Sequence, residues 1–424
     1  MKRLFLGLAA AFTCIGAAPA ERATLIHGAR VFDGSGRPAQ VRDVLIRGDR
    51  IVQVGTHLKV PGAEIVEGGG MTLIPGLHDL HIHTPGEFFQ SADAIATGYG
   101  PYLAAGVTSV NEFSVGPEML APIRGLSAPL PHLSLALRLG VPHGHGTESD
   151  FTNGITAQVT TPEAARIEMA RLLPYRPDVI KVFTDGWRYG RDADRPSMDL
   201  PTLTAIVEAA HAQGVPVVTH TVTLAGAKIA ARAGVDALAH GIGDLPADAE
   251  LIALMKRHRT AYVPTMAVYE PQQDRRFLND EWVRLRPQDR AREEARLTRP
   301  IEPVPDFAAK RWAMLQQNLR ILHKAGISIA TGTDTGIGGV YPGIALIREI
   351  RLFVSLGFTP AEALRASTAT SAAIMGKSRT HGRILPGQRA DLVLIGGMPD
   401  RRIEDIYQVR RVWVSGEEVT LPAR

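Results

Sequence analysis

Apolar and polar positions alternate in short runs at the two ends of the chain and in longer blocks between them. From Ala23 to about Val66, runs such as Thr24-Leu25-Ile26, Val44-Leu45-Ile46-Arg47 and Ile51-Val52-Gln53-Val54 are separated by Asp33-Gly34 and Gly48-Asp49. Short β-prone runs joined by such turns predict hairpins of an antiparallel sheet. The same pattern returns in Ala390–Ile395 and Val409–Val414, so one small β-sandwich domain is expected from both termini, over 21–74 and 379–424. Within 75–378 and its border, eight apolar runs alternate with helical patterns: Leu73–His83, Thr108–Phe113, Leu133–Leu139, Val179–Phe183, Pro216–His220, Val235–His240, Ala261–Pro264 and Ile327–Thr331. Apolar strands separated by segments such as Leu200–Gly214 imply parallel βα units. Eight of them favour an α/β fold closed as a (β/α)8 TIM barrel. A polar, arginine-rich stretch from Tyr269 to Asp306 is too long for a simple loop. It follows the seventh strand and is expected beside the barrel mouth, where lids sit.

The first twenty residues follow another pattern. Lys2 and Arg3 precede an apolar run from Leu4 to Ala18, and Ala18-Pro19-Ala20 is a small-x-small cleavage site. Residues 1–20 therefore read as a signal peptide, and the mature protein as secreted or periplasmic. The run is shorter than the ~20 residues of a spanning helix and no other stretch reaches that length, so no membrane span is expected. The single cysteine, Cys14, lies in this leader, which leaves a mature chain without disulfides, cysteine nucleophiles or thiolate metal ligands. With 47 Lys+Arg against 43 Asp+Glu and no basic run interleaved with aromatics, a nucleic-acid partner is not expected.

Candidate chemistry begins at His81-Ile82-His83, which ends the first barrel strand. Side chains at i and i+2 of a strand share a face, so both imidazoles can enter the barrel and share one metal. Lys181 in Val179–Phe183, His220 and His240 at the ends of later strands, and Asp334 just after Ala330–Thr333 also fall where functional residues of a barrel collect. Four imidazoles and a carboxylate form a ligand set that zinc accepts. A lysine in so apolar a run has its charged form disfavoured, and the neutral amine can take up carbon dioxide. Taken singly, each residue also has a plain structural role open to it, as a satisfied strand-end histidine or a buried ion pair. Asp79 shares the parity of the two histidines and can support them from behind or cap a turn, whereas His78 has the opposite parity.

The segments Ala29–Gly34, Pro75–His83, Ile180-Lys181-Val182, His220, His240, Thr331–Asp334 and Gly387–Leu392 together resemble the amidohydrolase superfamily, and within it the imidazolonepropionase/prolidase-like branch, over nearly the whole mature chain. The resemblance implies a metal-dependent hydrolase of carbon–nitrogen bonds, acting on a small molecule, with two divalent ions, zinc by preference. His81, His83 and Asp334 would bind one ion, and His220 and His240 the other. A carboxylated Lys181 and a hydroxide would bridge them, with Asp334 moving the proton. It also implies a substrate role for the glycine-flanked loop His143-Gly144-His145-Gly146, and association into homo-oligomers. Dipeptide-cleaving members often carry a tyrosine two residues after the fifth-strand histidine, where this chain has Val222. Arg188, Tyr189 and Tyr341 are candidate replacements, and N-acyl amino acids, lactones, esters or carbamates remain open as substrates. A mononuclear deaminase and a non-catalytic scaffold are the other readings.

Overall fold

The computed structural model describes residues 23–421 apart from 90, 127–128, 150–153, 272–276, 301 and 338. The leader read from residues 1–20, with Cys14, lies outside them. Near the N-terminus, β1 (Ala23–Val31), β2 (Gln40–Arg47), β3 (Arg50–Gly55), β4 (Glu64–Glu67) and β5 (Met71–Pro75) form a sheet. The β2–β3 turn is Gly48-Asp49, with Arg47 opposite Arg50 and Gly48 at φ +52°, the left-handed conformation that a two-residue hairpin requires. The barrel strands follow as β6 (Leu77–Ile82), β7 (Val107–Glu112), β8 (His132–Gly140), β9 (Thr156–Gln158), β10 (Val179–Phe183), β11 (Val217–His220), β12 (Ala237–Ala239) and β13 (Ala261–Val263). The far end returns β14 (Leu392–Gly396), β15 (Val409–Val414) and β16 (Glu417–Glu418) to the first sheet, ordered β16-β15-β14-β5-β1-β2-β3. Its core is Ile26, Val44, Ile46, Leu73, Leu392 and Trp413. Departing from the purely antiparallel expectation, β1 pairs in parallel with both β4 and β5.

The apolar run Leu73–His83 is not one strand. It divides at Gly76 between the two sheets. Gly76 donates its N–H to the Asp391 carbonyl at 2.8 Å, and a Cβ there would lie 1.9 Å from Thr108 Oγ1. Only glycine lets the backbone pass that close.

In the barrel the order is β13-β12-β11-β10-β8-β7-β6, with the unforeseen β9 added to β8. The eighth predicted strand, Ile327–Thr331, forms one isolated parallel bridge, Ile329 with Tyr262, instead of a regular strand. It nevertheless closes the barrel: Tyr262 N donates to Ser328 O at 2.9 Å, and Leu80 N to Thr331 O at 3.1 Å. The interior is lined by small residues such as Ala136, Ala237, Ala239, Ala261 and Ala330, which leaves room for larger polar side chains above them.

The arginine-rich stretch after β13 contains the helices Asn279–Trp282 and Pro287–Leu297. Its acids Glu281 and Asp289 are buried and paired, since Tyr407 Oη donates to Glu281 at 2.6 Å, Arg348 lies 3.2 Å from the same carboxylate, and Arg286 is 2.5 Å from Asp289. Where the small sheet meets the start of β8, Asp391 accepts from Ser415 N at 2.8 Å and lies 2.9 Å from His132 Nε2, with His381 3.8 Å away. No helix among the described residues is long and apolar enough to cross a membrane.

Candidate metal centre

His81 lies one residue before the end of β6 with no exposed surface, and its backbone N–H donates to Asp79 Oδ1 at 3.2 Å. Lys181, equally buried in β10, brings its Nζ to 3.2 Å from His81 Nε2. Asp334 reaches the same point from the barrel-closing segment. Its Oδ1 lies 3.2 Å from His83 Nε2 and 3.6 Å from His81 Nε2, and its Oδ2 lies 3.9 Å from His240 Nδ1. The His240 ring stands 4.6 Å from that of His81 and 4.4 Å from that of His220. Six side chains from five segments thus meet at the C-terminal mouth of the barrel. One donor atom each from His81, His240 and Asp334 lie within 4.8 Å of one another, close enough to share an ion.

The backbone at this point is strained. His240 sits at φ +77°, Asp334 at +59° and Thr265 at +47°, a left-handed region that costs a non-glycine residue about 1 kcal/mol or more. Hydrogen bonds hold it there. Asp334 N donates to His81 O at 2.8 Å, Thr265 Oγ1 is 3.1 Å from His240 Nδ1, and Ser114 Oγ is 3.1 Å from His83 Nδ1. Asp79 grips the neighbouring Thr333, accepting from its N–H at 3.0 Å and its hydroxyl at 2.7 Å. It therefore acts on Asp334 through the backbone rather than on the imidazole rings. His78 stays outside the cluster, 3.0 Å from Asn111 Oδ1.

Burial sets the charge states. It holds the imidazoles of His81, His220 and His240 well below their usual range, so they are neutral and keep a lone pair for a cation. Burial also brings the Lys181 ammonium down to about 7, against an opposing pull from Asp334 and assisted by Arg138. Two buried polar atoms here lack a partner, His81 Nδ1 and Asp185 Oδ1, the latter 3.9 Å from His220 Nε2. A neutral imidazole set and one carboxylate fit a divalent cation.

The cluster opens into a cavity of about 840 Å³. His145 lines it, its ring 4.0 Å from His220 and its Nδ1 2.7 Å from Glu148 Oε1. Tyr189 lines it as well. His143 and Arg188 face an adjacent outer groove, with Arg188 3.0 Å from Glu148. Tyr341 is not brought to this cavity. Its hydroxyl donates to Glu293 Oε1 at 2.6 Å, and it packs with Leu285 and Ile344.

Arg138, Tyr269 and Arg311 also line the cavity, and the sequence reading did not single them out. Arg138 stands opposite Lys181 in the β8–β10 register, and a lone cation in an apolar strand was the same signal that marked Lys181. Its guanidinium donates to the carbonyls of Gly146 at 3.1 Å and Phe113 at 3.4 Å. Arg311 and Tyr269 lie in helices whose sequence carries no such mark.

The sequence is similar to that of N-acyl-D-aspartate deacylase from Alcaligenes xylosoxydans xylosoxydans, 31% identical over 43% of this chain and 34% of that protein. The chain thus spans about a third of the length of that relative. It is 26% identical to ochratoxinase from Aspergillus niger over 93% of this chain and 86% of that one. The crystal structure of A. niger ochratoxinase has the same fold, with a TM-score of 0.75 and 23% identity over 95% of this chain and 96% of that one. So does a Xaa-Pro dipeptidase with bound methionine, with a TM-score of 0.75 and 22% identity over 94% and 99% of the two chains. The Amidohydrolase family profile matches residues 72–419, from the last strand of the small N-terminal run to beyond β16. The chain belongs to the Amidohydrolase family.

Proposed function

We propose that this protein is a secreted or periplasmic hydrolase that cleaves an amide bond, peptide-like or in an N-acyl amino acid, at a binuclear metal centre. The convergence of His81, His83, Lys181, His220, His240 and Asp334 at one cavity carries the reading. Similarity to an ochratoxinase along 93% of the chain and to a deacylase over part of it supports carbon–nitrogen chemistry. His81, His83 and Asp334 would hold one ion and His220 and His240 the other, with Lys181 between them as a carbamate. Two bound divalent ions, for which this histidine and carboxylate set suits zinc, would polarise the scissile carbonyl and lower the pKa of the attacking water.

The protein's own groups do the rest. A Lys181 amine that titrates at about 7 is in good part neutral at neutral pH. The neutral nitrogen would form a bond to the carbon of carbon dioxide and release one proton to solvent, which places an anion among the imidazoles. Asp334 would accept the proton of the attacking water and pass it to the leaving nitrogen. His145, at the cavity wall, orients the substrate.

Purified protein should contain about two equivalents of metal and lose activity on chelation. Lys181→Ala should lose most activity and recover part of it when short-chain carboxylic acids are added. Full hydrolysis by metal-free protein would overturn the proposal. One equivalent of metal with an active Lys181→Ala variant would favour the mononuclear deaminase reading instead.

A further inference from the structure

The helix Asp306–Lys324 packs against the segment that follows β12, and two glycines make room for it. A Cβ on Gly241 would lie 2.3 Å from Leu315 Cγ, and one on Gly243 would lie 2.8 Å from Arg311 Cγ. The stem of Arg311 thereby enters the cavity just beyond His240. Its guanidinium lies between two rings, with Cζ 4.4 Å from the centre of Tyr189 and 4.6 Å from that of Tyr269. The Tyr269 ring stands edge-on to His240 at 6.1 Å. Stacking on two aromatic faces fixes the plane of a fork-shaped donor.

That donor has no counter-charge among the described residues. Among the described residues no carboxylate lies within the 4.0 Å of an ion pair with Arg311 and none of its side-chain nitrogens makes a hydrogen bond, while Nε is buried without a partner. The other cations of the site are engaged. Arg138 donates to two carbonyls, and Arg188 pairs with Glu148. The nearby carboxylates are committed too, Glu148 to His145 and Arg188, and Asp334 to the histidine cluster. A guanidinium held rigid, partly desolvated and unpaired at a cavity wall is matched by a planar anion that accepts two parallel hydrogen bonds.

We propose that Arg311 is the carboxylate anchor of this pocket, and that the preferred substrates are amides carrying a carboxylate near the scissile bond. This rests on the hydrolase reading for what is cleaved, but not for what is bound. The carboxylate can belong to the amine half, as in an N-acyl amino acid, or to the acyl half, as in a succinamate.

The test uses the metal-loaded protein with three amides: N-benzoylglycine, N-benzylsuccinamic acid and N-methylbenzamide, the last being the first without its carboxylate. At least one acid should exceed N-methylbenzamide in kcat/KM by roughly tenfold or more, and which acid does so identifies the half that carries the charge. Arg311→Met should bring the ratio close to one through KM, and Arg311→Lys should keep part of it. Lys310→Met, an exposed charge on the same helix, should keep the wild-type ratio. Metal content and melting temperature verify that each variant folds.

Binding of N-benzylglycine, which has no amide to cleave, is measured by calorimetry in the same proteins. Loss of that binding in Arg311→Met upholds the anchor even if no amide is turned over, a result that would count against the hydrolase instead. A wild-type protein indifferent to the carboxylate, or an Arg311→Met variant that binds and discriminates as the wild type does, overturns the anchor.

Discussion

Thr333 shows how single contacts hold the centre together. Its hydroxyl and N–H both point at Asp79, a wholly buried carboxyl that burial pushes up to about 7, and the next residue along the chain is Asp334. Thr333→Val removes one donor and leaves a buried oxygen unsatisfied, which should cost about 1–3 kcal/mol in urea denaturation of the metal-loaded protein. It should also lower kcat, because the left-handed turn at Asp334 loses its brace. An unchanged midpoint would mean that Asp79 does not hold this turn. At this scale the sequence was informative where chemistry and spacing coincide. His81 and His83 share a strand face, and Lys181 is an isolated cation among apolar neighbours. It was silent where the contact is between distant segments, as with Arg311 over Gly243 or the cage of Tyr189 and Tyr269. Tyr341 had a suitable hydroxyl and a suitable loop, but its oxygen is bound to Glu293.

Elements carry constraints that no single residue shows. The short helix Met266–Tyr269 begins beside the metal cluster, and its first N–H groups are held by a carboxyl from another helix, Ile344–Ser355. Glu349 accepts from Met266 N at 2.9 Å and from Ala267 N at 2.7 Å, and burial raises it from 4.5 to about 8. A carboxyl with a raised folded pKa binds a proton in the native state that the unfolded chain has released. Its contribution to stability is therefore full below 4.5 and falls as pH rises to about 8. The stability difference between wild type and Glu349→Gln should narrow across that window when unfolding is followed at several pH values. Parallel stability curves would show that Glu349 does not titrate there. Two elements also differ from what the residue pattern predicts, for physical reasons. Ile327–Thr331 has the apolar content of a strand, but it must turn sharply to bring Asp334 inward. The stretch after β13 reads as a polar, arginine-rich segment placed where lids sit, yet its Glu281, Asp289 and Glu293 are paired in the interior, and composition alone does not separate a solvated charge from a buried pair.

For the whole molecule, the seam between the small sheet and the barrel is polar at Asp391. This carboxylate joins β15's neighbour Ser415 to His132 at the start of β8, the end of that strand away from the metal cluster. Asp391→Ala should lower global stability by about 1–3 kcal/mol, by leaving a backbone N–H and an imidazole without their acceptor. Because the metal cluster is at the other end, metal content should stay at the wild-type level. A loss of metal in parallel with stability would show that the small sheet and the centre unfold as one. The two-sheet plan itself was readable from repeated turn and strand patterns at both ends of the chain. The joint at Gly76 was not, because its cause is the approach of Thr108, far away in sequence.

That joint also sets the phase of the active strand. One residue separates the last pairing position of β5 from the first of β6, so the chain has no slack there. Lengthening it by a single residue would present Ile82 and its alternate neighbours to the barrel axis and turn His81 and His83 toward the helices. The small sheet thus acts as an anchor point that clocks the two imidazoles into place, and chimeras that exchange it must preserve the count between Pro75 and His81 as strictly as the two histidines themselves.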